Sequence, residues 1–248
     1  MKLKLAIVDS RVGAEAERRL TLSGYHVITL PPFSRLSEAV VSHPDMLIAR
    51  VGRSYVSYAD YCEEASYVFS DLSLFTRGSG ARFTFTADDV SPEYPHDVGL
   101  NALRMGDKLF IRTASASETL LSLAREEGLE LVDVKQGYPA CTVLKLNDSA
   151  AITSDRGMAA ILEKHGIRVT LIDAGDVSLP PYDYGFIGGA GEVDGTRLYL
   201  FGDPSTHHDC VKILTAAKDE GLTVVPLSSG TLRDLGGILF IEVENPIL

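Results

Sequence analysis

Four segments of this chain repeat one pattern: a helix-like stretch, a glycine, then a short β-type run. They are "SGYHVITL" at 23–30, "EGLELVDV" at 127–134, "HGIRVTLI" at 165–172 and "EGLTVVPL" at 220–227. Each glycine stands where a helix C-cap needs positive φ, and three of the preceding stretches, "SETLLSLAREEG", "DRGMAAILEKHG" and "HDCVKILTAAKDEG", carry apolar residues at three- and four-residue spacing. A second element recurs between them, a short strand after a turn carrying Asp or Gly. It is found at 45–50, 107–112, 148–153, 197–201 and 237–242. Five strands against four helix–glycine patterns predict serial α/β modules of the ββαβ kind, with the second module degenerate across residues 53–93, where "YCEEASYVF" reads as a short helix and "ARFTFTADDV" as a strand. An ordinary doubly wound α/β sheet also alternates helix and strand, and it is the competing architecture.

Composition sets the frame for those modules. A chain of 248 residues with 45% hydrophobic content is long enough to bury a large core without a metal or disulfide staple, so residues 1–248 are expected to form one domain. Cys62, Cys141 and Cys210 are an odd number without CxxC spacing, which fits a reducing compartment. The start "MKLKLAIVDS" reads as a first strand rather than a signal peptide, and no apolar run has the length to cross a bilayer; the expectation is a cytoplasmic protein. A formal net charge of −11 without any Lys/Arg run argues against nucleic-acid or anionic-membrane partners. Oligomeric state is not encoded in any pattern found.

The segment "PHDVGLNALRMGDKLFIR" resembles the turn-plus-strand element of the penteins, the α/β-propeller family that includes arginine deiminase, dimethylarginine dimethylaminohydrolase and agmatine deiminase. Through "HPDM", "YPHDVGLNAL", "KQGYPAC" and "YGFIGGAG" the chain also resembles an uncharacterised bacterial branch of this fold. The resemblance implies five modules around a pseudo-fivefold axis and guanidine chemistry driven by a C-terminal cysteine, a third-module histidine and carboxylates. It implies that Asp97 matches the carboxylate that binds the substrate guanidinium. The chain departs from the pattern at both catalytic positions. The matching C-terminal turn, "DLGGILFIE", has no cysteine, and the segment matching the histidine, "VKQGYPACTV", offers Lys135, Gln136, Gly137 and Tyr138.

The residues therefore suggest a scaffold that binds a small polar or cationic molecule without the family's hydrolysis. Asp97, His43, Lys135, Gln136 and Tyr138 are the candidate contacts, and no cofactor or metal is implied. Asp97 could instead cap its own turn after Pro95. Cys141 is the candidate nucleophile of an alternative hydrolase or transferase, if a nearby Lys135 lowers its pKa; as a residue entering an apolar strand it also fits a plain core role. A protein-interaction scaffold is the third reading. In "GDPSTHHDC", His207, His208 and Asp209 read as neighbours on a helix, pointing apart and unable to share a metal. "FIGGAGEVDG" lacks the spacing of a dinucleotide loop, and its glycines are expected to let backbones approach a crowded axis.

Overall fold

The computed structural model describes residues 2–244. The chain opens with β1 (Lys2–Asp9), α1 (Ala14–Leu22) and β2 (Tyr25–Leu30), with β2 parallel to β1. A second unit follows: the helical turn α2 (Pro44–Leu47), β3 (Ile48–Val51), β4 (Ser54–Tyr58), α3 (Ala59–Glu64), α4 (Ser66–Phe75) and β5 (Arg82–Thr86). The third contains β6 (Leu103–Met105), β7 (Lys108–Ile111), α5 (Glu118–Glu126) and β8 (Glu130–Asp133). The fourth repeats the second with α6 (Pro139–Thr142), β9 (Val143–Asn147), β10 (Ala150–Thr153), α7 (Arg156–Lys164) and β11 (Arg168–Leu171). After β12 (Val177–Ser178) come β13 (Gly191–Asp194), β14 (Arg197–Leu200), α8 (Cys210–Asp219) and β15 (Thr223–Pro226), then β16 (Leu232–Arg233) and β17 (Leu239–Glu244).

These strands form separate small sheets, β17-β1-β2, β3-β4-β5, β6-β7-β8, β9-β10-β11 and β13-β14-β15, with β12 paired to β16. Each three-stranded sheet has one plan. Its first strand is antiparallel to the second, and the third returns parallel to the second after a helical crossover. Local chemistry explains the plan. Gly24, Gly128, Gly166 and Gly221 end their helices at φ 94°, 73°, 79° and 71°, the left-handed conformation that the repeated glycines predict. Gly52, Gly106 and Gly195 open two-residue hairpin turns at φ near 60°, which suits the twist of the strands they join.

Two sequence expectations need correction. The second unit is not degenerate: β3, β4 and β5 form a complete sheet, and the crossover simply holds two helices where the others have one. The five strands read as equivalent are of two kinds. Those at 107–112, 148–153 and 197–201 are second strands, whereas 45–50 and 237–242 contain first strands. Both kinds are short, apolar and preceded by a Gly or Asp turn, so their sequences look alike and only pairing separates them.

The first strands β3, β6, β9, β13 and β17 all contribute to the lining of one cavity of about 620 Å3. Leu103, Val143 and Leu146 lie on its wall, Arg50, Arg104 and Lys145 also line it, and it reaches Asp45, Ala140, Gly188 and Gly236. Among the described residues no helix is long and apolar enough to cross a membrane.

Candidate functional site

The turns that lead into the first strands carry the polar residues, and they share a form. His43 precedes Pro44 at the start of α2, and Tyr138 precedes Pro139 at the start of α6. Proline suits the first position of a helical turn because it lacks only an N–H that would be unpaired there. The same turn thus presents Asp45 in one unit and Cys141 in another, and the two meet: the Cys141 thiol donates to Asp45 Oδ2 at 2.8 Å. Asn101, in the turn before β6, donates its amide to Cys141 Sγ at 3.2 Å and to the Asp45 carbonyl at 3.3 Å, while its Oδ1 accepts from Ala140 N–H at 2.8 Å.

His43 lies behind this pair, fully buried. Its Nδ1 is 4.0 Å from Asp45 Oδ1 and 3.8 Å from Asp234 Oδ1, and its Nε2 is 3.8 Å from Asp9 Oδ2. Neither ring nitrogen has a hydrogen-bond partner, nor does Asp45 Oδ1. Asp9 ends β1 and is held by Arg11 through two guanidinium contacts, 2.9 Å to Oδ1 and 2.6 Å to Oδ2. Asp234 accepts from Phe186 N–H at 2.9 Å and Gly236 N–H at 3.2 Å. Glycines make this crowding possible. A Cβ on Gly189 would lie 1.8 Å from Asp234 Oδ1, one on Gly188 would lie 2.3 Å from the Ala140 carbonyl oxygen, and one on Gly236 would lie 2.4 Å from His43 Cβ.

Burial governs the protons here. It lowers the His43 pKa to about 3, outweighing the pull of Asp9, so the ring is neutral. It pushes Asp45 up to about 7, helped by the charge of Asp234, and Asp234 itself up to about 6. The Cys141 thiol is driven well above its ordinary value by burial and by the neighbouring carboxylates Asp45 and Asp234.

Asp97 is buried, and its Oδ2 accepts from Tyr138 Oη at 2.7 Å, which joins the third unit to the fourth. Its Oδ1 has no partner, and burial holds the carboxyl above its usual range. The side chain does not simply cap its own turn. Tyr138 sits between the rings of Tyr94 and Phe186, with centroids 5.9 and 6.4 Å away. Of the sequence candidates, His43 lies in the buried polar cluster, while buried Asp97 and half-buried Tyr138 pair with each other; none of the three is among the residues that line the cavity. Two other candidates do not join the cluster. Lys135 is exposed, and it is not among the groups that set the Cys141 pKa, in contrast to the sequence expectation. Gln136 is spent on structure, donating to Asp155 Oδ2 at 2.7 Å beside the cap of α7 and accepting from Tyr138 N–H at 3.2 Å. Asp9, Asp45, Asn101 and Asp234 are not legible in the sequence, and matching the "HPDM" and "YPAC" turns on their prolines sets Asp45 opposite Ala140, which carries no signal for it.

The His207–Asp209 segment also differs from expectation, because it forms a turn before α8 and not part of the helix. The expectation that these side chains point apart and cannot share an ion is also overturned: the His207 and His208 rings stack at 4.7 Å, donor atoms of Asp176, His207 and His208 and of Asp173, His208 and Asp209 lie within 4.8 Å of one another, and while His207 Nδ1 accepts from the Asp209 N–H at 3.0 Å, its Nε2 has no partner.

The repeated ββαβ plan is that of the pentein fold. The structure aligns with a dimethylarginine dimethylaminohydrolase (DDAH) adduct at TM-score 0.55 and 14% identity, covering 91% of this chain and 92% of that one. It aligns with a mutant DDAH from Pseudomonas aeruginosa complexed with citrulline at 0.53 and 11%, covering 90% of each chain. It aligns with the inosamine-phosphate amidinotransferase StrB1 from Streptomyces griseus at 0.56 and 17%, covering 89% of this chain and 75% of that one. At such identities the likeness is one of fold. The chain belongs to the family of unknown function DUF6873, which matches residues 7–239. No curated protein matches the sequence.

Proposed function

We propose that this protein is a single-domain, five-module α/β-propeller of the pentein type, which binds a small polar or cationic molecule and does not hydrolyse it. Five first strands lining one cavity support the propeller reading. The observation that carries the ligand reading is Asp45: the cavity reaches it, and its Oδ1 is unpartnered. A guanidinium or ammonium group arriving through the cavity would draw the Asp45 carboxylate outward, since its Oδ1 is buried toward His43 and Gly236, with the carboxylates of Asp9 and Asp234 behind it and Arg11 as the cation already paired to Asp9. Asp97, whose Oδ1 is unpartnered, accepts from Tyr138 in a further polar pair, although neither residue lines the cavity. Three free cysteines fit a reducing compartment such as the cytoplasm.

The chemistry of the turns supports a loss of catalysis. Where the resemblance implies a nucleophile, Gly236 and Gly237 adopt φ near 68°, and Gly236 is packed on His43 with no room for a Cβ. Cys141 cannot replace it as arranged, because a nucleophilic thiol needs a neighbouring cation or base to form thiolate, and this one donates its proton to a carboxylate. The test is a thermal-shift series with guanidinium, agmatine and arginine, since a ligand that binds only the folded state raises Tm by mass action. Asp45→Asn is expected to weaken the bound cation about 10- to 100-fold, the loss of one charge-assisted hydrogen bond. Absence of any shift, or citrulline or ammonia release above background, would remove the reading.

A further inference from the structure

We propose that the buried centre is a metal site of the zinc class, with His43, Asp45 and Cys141 Sγ as its ligands and Asp234 beside them. The inference rests on reading this centre as a cation site, and it names the cation. Donor atoms of His43, Asp45 and Cys141 all lie within 4.8 Å of one another, and Asp234 Oδ1 is 3.8 Å from His43 Nδ1. A tetrahedron with bonds of about 2.0–2.3 Å has edges near 3.5 Å, so the donors of His43, Asp45 and Cys141 need shifts on the order of 1 Å to share one ion, with the fourth position left open to water or ligand.

Three observations raise the cluster above a chance gathering of acids. The His43 ring is fully buried with both nitrogens unpartnered, an arrangement that wastes two hydrogen-bonding atoms unless something else engages them. Its Nε2 faces Asp9, which Arg11 fixes in place. A ligating histidine typically turns its second nitrogen to a carboxylate, which orients the ring and raises its basicity. Finally, the contact between the Cys141 thiol and Asp45 Oδ2 is what a thiolate–carboxylate pair becomes when a proton stands in for the metal. Sulfur, imidazole and carboxylate together favour zinc over magnesium or calcium, which take oxygen donors. The cavity that reaches Asp45 supplies a route inward.

Cobalt(II) makes the site visible. Protein stripped with a chelator and titrated with Co2+ should take up one equivalent per chain and develop a thiolate-to-cobalt charge-transfer band that Zn2+ removes. Cys141→Ser, checked for folding by circular dichroism, should lose the band, whereas Cys62→Ser with Cys210→Ser should keep it. Asp9→Asn, which leaves the ligand set intact, should bind about 10- to 100-fold more weakly. No band in the wild type, or a band that persists in Cys141→Ser, overturns the metal site. A guanidinium thermal shift without any cobalt band would sink the metal and leave organic-cation binding standing; no response to either removes both.

Discussion

Asp97 and Tyr138 form one part-buried hydrogen bond across two units, and the two partners are not equivalent when changed. Tyr138→Phe leaves the Asp97 carboxylate buried without its side-chain partner, so unfolding free energy in urea should fall by about 1–3 kcal/mol. Asp97→Asn keeps an acceptor for the tyrosine and should change stability little while weakening a cationic ligand about 10-fold or more; equal stability losses in both variants would argue for a purely structural pair. Glu192, on the wall of the cavity, offers a pH test away from the centre. Burial pushes its carboxyl from 4.5 up to about 7. A group that holds its proton more tightly folded than unfolded contributes stability that is complete below the unfolded value and is lost as pH rises from about 4.5 to 7. Relative to Glu192→Gln, the wild type should lose on the order of 2 kcal/mol between pH 4.5 and 8, less than the full shift because the side chain is only part-buried. Urea denaturation at several pH values measures it.

At the scale of elements, the short 3-10 turn Gly188–Ala190 fastens the last unit to the loop before β17. The Gly189 carbonyl accepts from both Leu235 and Gly237 N–H groups at 2.9 Å. Its missing side chain makes room for Asp234. Gly189→Ala should therefore destabilise the fold by about 1–3 kcal/mol and lower Tm by roughly 2–10 °C, as overpacking against a buried group does. Gly195→Ala is a useful contrast. It meets no atom within 4 Å, so its cost should come from its φ of 61° alone.

For the whole molecule, the first sheet draws on both ends of the chain. β1 pairs with β17 from Lys2 opposite Glu244 to Ile7 opposite Leu239, and buried Leu5, Ile7, Ile241 and Val243 pack in the same core. A chain stopped after Ile238 keeps every local signal for the other four units yet exposes the edge of β1 and part of that core. It should show no single cooperative thermal transition and should aggregate, whereas the intact chain should melt as one unit in calorimetry. A truncated chain that still melts cooperatively would mean the units are independent domains.

The sequence by itself determined the local signals of the units, though not the completeness of the second unit or which strands are equivalent. Gly24, Gly128, Gly166 and Gly221 announce helix ends, and Gly106 a hairpin, because positive φ and side-chain period are local properties that a few neighbouring residues settle. His43, Asp97 and Tyr138 were also legible, as polar residues in turns before strands. Tertiary structure alone decided the site. Asp9, Asp45, Asn101, Cys141 and Asp234 come from turns far apart in sequence, and their meeting depends on how the sheets pack. The same packing withheld Lys135 and Gln136 from the cluster, one to solvent and one to a helix cap. Protonation was decided at that level too, since a cysteine in "YPAC" has no fixed pKa until burial and two carboxylates surround it and hold its proton on.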